Sequence, residues 1–120
     1  MAARLMAPVA QRRGLLYPQT RRLGVVGDES EKHFQRRVVQ LARLYGWVCW
    51  HTLDSTGTLA GELDLRLVRP PRVIFAELKS EHGRVRLEQA QTITLLERCP
   101  GVEVCLWRPS HWQTIVEALR

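Results

Sequence analysis

Apolar and polar residues alternate along two neighbouring segments, 61–68 and 73–79, of this 120-residue chain. The first segment alternates three leucines with charged side chains that include Asp64, and the second carries Glu77 and Lys79 on one face of an otherwise apolar run. A period of two is typical of β-strands. The pattern therefore predicts a β-hairpin with charges where a strand normally buries carbon, and such charges are costly unless they are paired or bind a metal.

The turn of this hairpin falls on two consecutive prolines, at positions 70 and 71. Symmetric reversal of the chain about them predicts an antiparallel register that sets Asp64 opposite Glu77. Because prolines cannot adopt the positive φ angles of the tightest hairpin turns, we expect a wider loop, closed by Val68 opposite Val73. Directly opposed side chains have Cβ atoms ~4.5–5.5 Å apart, so two carboxylates there repel each other, and a divalent cation between them would reverse that penalty.

Helical periodicity precedes the hairpin. A capping-box segment at 28–31 opens the pattern, Gly46 ends it, and the apolar positions between them are Phe34, Val38, Leu41 and Tyr45. The segment 47–52 has the aromatic and β-branched content of a strand. A polar segment, 54–61, predicts the loop that leads into the hairpin.

A second helix, from about 87 to 98, is predicted after the hairpin, with Ala90 and Ile93 on its inner face. A last strand, 102–107, and a short helix after Ser110 follow, and Ser110 has capping-box spacing. The helix between the third and fourth strands predicts a parallel, right-handed connection, whereas short loops make the first three strands antiparallel. We therefore expect an α/β fold with a mixed sheet flanked by helices.

Composition limits the chain to one core, because 45% of its 120 residues are hydrophobic. We predict a flexible basic tail over residues 1–27 and a single domain over 28–120. Five of the 18 basic residues lie in the tail, which has no acid, so the domain keeps 13 basic and 12 acidic residues. The tail is also consistent with a mitochondrial transit peptide, but its lack of serine favours a solvated extension that adds salt-sensitive attraction to phosphates.

Cysteine spacing and hydropathy limit the location of the protein. The three cysteines form no CxxC pair and leave one unpaired, which argues against a disulfide framework and against a cysteine zinc site. No apolar run approaches the ~18–20 residues of a membrane span. We therefore expect a soluble protein without a membrane partner, in a reducing compartment, with the cytoplasm favoured.

Five polar side chains are predicted to converge at the charged face of the hairpin, two of them from the first turns of the flanking helices. They are Glu31, Asp64, Glu77, Lys79 and Gln89. Four of the five offer oxygen, the ligand that Mg²⁺ and Mn²⁺ prefer. A hard cation held by such oxygens polarises a phosphodiester and activates water, and a neighbouring ammonium orients that water. Phosphodiester hydrolysis is therefore the candidate chemistry.

Simpler interpretations stay open for the same residues. The acid and lysine of the second strand, beside Asp64, are also consistent with a surface ladder of salt bridges, each worth ~0–1 kcal/mol. Glu31 is also consistent with a capping glutamate. His51, at a strand end, fits a structural or substrate-side role better than direct chemistry.

Four short motifs follow one another in a fixed order. They are Gly61-x-x-Asp64-Leu65, Phe75-Ala-Glu77-Leu-Lys79-Ser80-Glu81-x-Gly83-Arg84, Glu88-Gln89 and Val104-x-x-Trp107-Arg108-Pro109. Each is weak alone, but the series resembles the VRR-NUC domain of the PD-(D/E)XK nuclease superfamily over about residues 29–120. The sequence departs from that family at Leu63, where a proline usually precedes the aspartate, and at Arg86, where a small capping residue usually opens the second helix.

The resemblance implies a restriction-endonuclease-like αβββαβ core and DNA cleavage that depends on Mg²⁺ or Mn²⁺. It implies that Asp64 and Glu77 hold the metal, that Glu31 completes the acidic cluster, that Lys79 positions or activates water and that Gln89 supports the site. Small members of the family are similar to Holliday-junction resolvases of phages and bacteria, which act as homodimers on branched DNA.

Two further hypotheses come from other functional classes. The first is a non-cleaving nucleic-acid-binding module that uses the tail, Arg84 and Arg86 on phosphates, with His51 as a further candidate contact. Carboxylates facing a polyanion argue against it. The second is a structural subunit, which predicts no DNA affinity at low salt.

Overall fold

A four-stranded sheet with the order β1-β2-β3-β4 organises the fold. The computed structural model describes residues 29–52 and 60–120, so the predicted tail and most of the predicted 54–61 loop lie outside the described residues. The elements are α1 (Glu31–Leu44), β1 (Val48–His51), β2 (Leu65–Arg69), β3 (Arg72–Leu78), α2 (Leu87–Glu97), β4 (Glu103–Trp107), a 3₁₀ turn (Pro109–His111) and α3 (Trp112–Leu119).

The predicted register of the hairpin is confirmed. β2 and β3 are antiparallel, with Leu65 opposite Ala76 at one end and Arg69 opposite Arg72 at the other. The expected wider loop is wrong, because only the two prolines separate the paired arginines. Their peptide bond is cis and no described residue other than glycine has a positive φ, so the short turn forms without the left-handed angles that the prediction assumed it needed.

The predicted topology is also confirmed for the described residues. β1 pairs antiparallel with β2, and β4 pairs parallel with β3. The protein is therefore an α/β fold with an open mixed sheet and three helices along the described chain. In that part of the chain, no helix is long and apolar enough to cross a membrane.

Helix α1 packs on the sheet through a stripe that only partly matches the predicted one. Phe34 and Val38 are buried as predicted, whereas Leu41 and Tyr45 are partly buried at the edge of the same cluster. The other buried residues of the helix are Val39 and Ala42. The N-cap is Ser30, whose hydroxyl accepts a hydrogen bond from the His33 N–H at 3.1 Å, so the predicted cap was two residues too early. Glu31 is the first helical residue and not the third, and it therefore cannot be the glutamate of a capping box around Ser30. Gly46 ends the helix with a φ of 87°, as predicted.

Two apolar clusters lie on opposite faces of the sheet. The larger cluster joins α1 and α3 to one face and includes Leu65, Ile74 and Trp107. The smaller cluster lies under α2 and contains Leu63, Ile93 and Val104, with Phe75 and Leu96 packed against it. Ala90 is exposed, so the contact face of α2 is narrower than its sequence predicts. Ser110 does not cap α3, because the N-cap of that helix is His111; the Ser110 hydroxyl instead donates to Glu81 at 2.7 Å.

Two arginines join the turn of the hairpin to β4 and to the C-terminal helix. Arg72 makes two hydrogen bonds of 2.6 and 2.7 Å to the carboxylate of Glu103, a side chain that is only 3% exposed. Arg69 donates to the carbonyls of Tyr45 and Leu119. Both guanidinium groups lie over the ring of Trp47, at 4.7 Å for Arg69 and 5.0 Å for Arg72. The turn is thus anchored, and the charged end of the hairpin lies at the opposite end of its strands.

Candidate active site

Asp64 and Glu77 lie together at the open end of the hairpin. Asp64 directly precedes β2 and Glu77 is the penultimate residue of β3. The Asp64 N–H donates to Glu77 Oε1 at 3.2 Å, and the Leu78 N–H donates to Asp64 Oδ2 at 2.8 Å. Each carboxylate is thus bound by a main-chain amide of the opposite strand, so the backbone fixes the pair that the predicted register brings together.

Lys79 is the nearest described cation to this pair. Its Nζ is 3.2 Å from Glu77 Oε2, and its N–H donates to the Trp107 carbonyl at 3.0 Å, which continues the pairing with β4. The Lys79 side chain is 10% exposed and that of Glu77 1% exposed. Glu77 Oε2 has no hydrogen-bond partner among the described residues, so an ion pair with Lys79 is its only polar contact there.

The three candidate acids share a raised pKa. Burial raises the pKa of Glu77 to about 7, and the negative charge of Asp64 adds to the rise while Lys79 opposes it. Burial also raises the pKa of Asp64, against the Leu78 N–H and Lys79. For Glu31, partial burial is the larger cause of a raised pKa and the charge of Asp64 is the second. Burial, together with repulsion at Glu77 and Glu31, therefore disfavours the ionised carboxylates, and a bound cation would offset that cost.

The donors at this position suit a hard cation. Asp64 and Glu77 provide carboxylate oxygens, and Glu77 Oε2 has only the Lys79 ammonium, at 3.2 Å, as a polar neighbour among the described residues. Mg²⁺ is commonly held by one or two carboxylates and keeps several waters. Within residues 29–52 and 60–120, no three His, Cys, Asp or Glu side chains are grouped closely enough to hold a metal. The pair therefore fits as the protein part of an Mg²⁺ or Mn²⁺ site, and Glu31 as a direct metal ligand stays a prediction.

The remaining predicted residues lie around the pair in different ways. Gln89 is half-buried, and its amide oxygen accepts a hydrogen bond from the Arg86 N–H at 3.1 Å, so it caps α2. The Arg86 side chain cannot accept a hydrogen bond from the Gln89 N–H, since a guanidinium group has no acceptor atom. Arg84 and Arg86 are exposed, and Arg86 is near enough to lower the pKa of Glu31. His51 is half-buried, with Nδ1 unpartnered among the described residues.

Arg108 and Glu81 hold the loop that follows Lys79, and the sequence alone did not identify their role. Arg108 Nη1 donates to the carbonyls of Ser80 and Gly83 at 2.8 Å and to that of Glu81 at 3.2 Å. The Glu81 carboxylate accepts hydrogen bonds from the N–H and the hydroxyl of Ser110. Glu81 and Arg108 belong to two motifs that lie far apart in the sequence, so these two motifs contact each other in the fold. The presence of both motifs in one chain was the sequence signal that could have indicated this contact.

Gly61 and Leu63 attach the segment before Asp64 to α2. Gly61 has a φ of 96°, and a Cβ atom there would lie 2.7 Å from the Glu88 carbonyl oxygen and from Thr92 Oγ1. Only glycine fits both the angle and the close approach. Leu63 is 3% exposed and packs with Ile93. At the position where the resemblance expects proline, this chain therefore has an apolar anchor beside the site.

Comparisons of the chain with models of protein families, with curated proteins and with solved structures find no match. The resemblance in the motifs therefore stays a prediction. What bears on function is the arrangement of the side chains around Asp64 and Glu77.

Proposed function

We propose that the protein is a divalent-metal-dependent DNA endonuclease that hydrolyses phosphodiester bonds. The observation that carries the proposal is the buried carboxylate pair, Asp64 and Glu77, cross-bound to the backbone and adjoined by Lys79 at 3.2 Å. Two carboxylates and one ammonium in a mostly buried position are costly to the fold and suit metal-assisted hydrolysis. The resemblance of the motif series to the VRR-NUC nucleases gives the proposal its family, and a restriction-endonuclease-like core is part of the proposal.

In this proposal each group of the site has a distinct task. Asp64 and Glu77 hold the cation, which when bound polarises the phosphodiester and lowers the pKa of the attacking water. Lys79 carries three N–H donors, with which it orients the water and offsets the charge that develops on the phosphate oxygens. Glu31 adds negative charge beside Asp64, and Gln89 fixes the start of α2.

Branched DNA is the proposed substrate, and a homodimer the proposed active form. Both rest on the resemblance to the small resolvases of bacteria and phages, as does a cytoplasmic location in a bacterial or phage-infected cell. Symmetric cutting of a four-way junction needs two active sites related by a two-fold axis. Molar mass measured with and without a junction tests the dimer independently of cleavage.

A non-cleaving nucleic-acid-binding module is the second candidate function. The observation that favours it is the exposure of Arg84 and Arg86 beside a site in which the described residues group two acids and not three. The raised pKa values of Asp64 and Glu77 argue against it, because a phosphate backbone beside these acids would raise the electrostatic cost further without a cation.

Cleavage of a panel of linear, flapped, forked and four-way DNAs, with Mg²⁺ or Mn²⁺, tests the proposal. We expect nicking of the branched substrates, and loss of nicking in Asp64→Asn and Lys79→Met. Glu62→Gln is the matched control, because Glu62 is an exposed acid two residues from Asp64 with only a 3.8 Å contact to Arg66. Full activity in both site variants would end the assignment. Tight binding without cleavage in either metal would favour the second candidate.

A further inference from the structure

A groove of about 520 Å³ lies between the outer side of α1 and the end of β1, and it lies outside the carboxylate pair. Its charged and polar lining includes Lys32, Gln35, Arg36, Arg43, His51 and Thr52. No acid is among the described residues that line it. The groove is therefore basic, in a domain whose acids and bases nearly balance.

The three cations of the groove share one face of α1. Lys32 and Arg36 are four residues apart, and Arg43 lies seven further on, which is the spacing of one helix face. None of the three makes an ion pair with an acid in the described part of the chain, whereas Arg37, on a neighbouring face, pairs with Glu29 at 2.7 Å. Like charges four residues apart disfavour a helix by roughly 0.2–0.5 kcal/mol.

The groove lies next to the carboxylate pair, both on its strand side and on its helix side. On the strand side, the Thr52 N–H donates to the Asp64 carbonyl at 3.1 Å. On the helix side, Lys32 directly follows Glu31, whose pKa responds to the charge of Asp64. His51 lies on the groove wall, and its buried Nδ1 has no hydrogen-bond partner among the described residues.

We propose that this groove binds the sugar–phosphate backbone of the DNA on one side of the scissile phosphate, an inference that rests on the proposed function. Lys32, Arg36 and Arg43 neutralise phosphates spaced along one strand, and His51 lines the groove next to Thr52, whose N–H is bonded to the Asp64 carbonyl. From Lys32 to Arg43 the helix rises about 16 Å. That is the length of about five nucleotides of duplex backbone at ~3.4 Å each. The substrate therefore needs a duplex arm of about five base pairs on this side.

The salt dependence of DNA binding in EDTA tests the groove without cleavage. The probe is a labelled four-way junction, and the readout is fluorescence anisotropy between 50 and 200 mM salt. Removal of two phosphate contacts lowers the magnitude of the slope of log affinity against log salt by about 1.8. Over this fourfold range of salt, the loss of affinity in Arg36→Gln/Arg43→Gln should therefore be about 12-fold smaller than the loss in wild type. Arg98→Gln/Arg120→Gln removes the same charge from two exposed residues outside the groove lining and should keep the wild-type slope.

A second series shortens the junction arms. Affinity should fall steeply when an arm drops below about five base pairs, and Arg36→Gln/Arg43→Gln should lose this dependence on length. Equal slopes in the two double variants would refute the proposal that the groove binds the DNA backbone. Competition by polyglutamate as strong as competition by unlabelled DNA would refute it too.

Failure of the groove differs from failure of the proposed function. A wild-type protein that cleaves while Arg36→Gln/Arg43→Gln keeps the wild-type slope refutes the groove alone. A wild-type protein that binds with the predicted slopes and never cleaves refutes the nuclease alone. Absence of DNA binding by the wild type at 50 mM salt refutes both.

Discussion

Replacement of Glu77 by glutamine should stabilise the fold at alkaline pH while it abolishes cleavage. The pKa of Glu77 rises from its ordinary 4.5 to about 7 in the folded protein, through burial first and the charge of Asp64 second. A folded-state pKa above the unfolded one means that the folded protein binds the proton more tightly. Its contribution to stability is complete below pH 4.5 and is lost as the pH rises to about 7.

The magnitude follows from the size of this shift. One pKa unit corresponds to ~1.4 kcal/mol, so ionisation of Glu77 lowers the free energy of unfolding by about 3 kcal/mol between pH 4.5 and pH 8. Glutamine avoids this loss and keeps a carbonyl oxygen for the Asp64 N–H. It also removes the counter-charge of Lys79, which is 10% exposed. We therefore expect Glu77→Gln to exceed wild type by about 1–2 kcal/mol at pH 8, or roughly 4–16 °C in Tm for a domain of this size.

Urea denaturation at pH 4.5, 6 and 8, in EDTA, measures this difference. The advantage of Glu77→Gln should be absent at pH 4.5 and should grow toward pH 8. Added Mg²⁺ should stabilise the wild type at pH 8 and leave the variant unchanged. Glu62→Gln, at an exposed position, should show neither effect. A variant less stable than wild type by the same amount at every pH would refute the idea that the ionised pair is a cost to the fold.

Three other substitutions test the supports of the site. Arg72→Met should lower the free energy of unfolding by about 3–5 kcal/mol, because Glu103 is left charged and buried, and urea denaturation with Arg72→Met/Glu103→Gln should recover most of it. Gly61→Ala should loosen α2, since the added Cβ meets the Glu88 carbonyl at 2.7 Å, and faster hydrogen exchange in α2 together with at least a tenfold slower cleavage would show it. Arg108→Gln should lower kcat about tenfold with little change in KM, because the loop after Lys79 loses the guanidinium donor that its three carbonyls share. Single-turnover rates measure this, and an unchanged kcat would show that Arg108 does not support the site.

The sequence predicted the hairpin better than its surroundings, for a physical reason. Symmetric reversal about the two prolines specified the pairing of Asp64 with Glu77, and the alternation of β2 excluded a shift of one residue, which would move every side chain to the other face. The turn was mispredicted because we assumed that a two-residue connection requires positive φ angles, whereas the paired arginines are joined by the two prolines without any. The cap of α1 was misplaced because Asp28 and Ser30 are both good N-caps, and the local sequence does not choose between them.

The supports of the site were beyond prediction from local pattern. Arg108 binds three carbonyls more than 20 residues away, and Glu81 binds Ser110 across 29 residues. Such contacts depend on the parallel pairing of β3 with β4, which no periodicity reveals. Gln89 shows the opposite case: its inward position was inferred from helical spacing, but its amide oxygen is used by the Arg86 N–H.

The carboxylate pair owes its position to the backbone, and its electrostatic cost to burial and to the presence of two acids beside a single ammonium group, that of Lys79. The Asp64 N–H binds the Glu77 carboxylate, and the Leu78 N–H binds the Asp64 carboxylate. The two acids therefore cannot separate to relieve their repulsion without breaking these hydrogen bonds. The turn is fixed by Arg69 and Arg72 at the far end, so the hairpin as a whole does not open. The repulsion can then be relieved only by a proton or a cation. At neutral pH the proton is only partly bound, which leaves this end of the hairpin ready to accept a divalent ion.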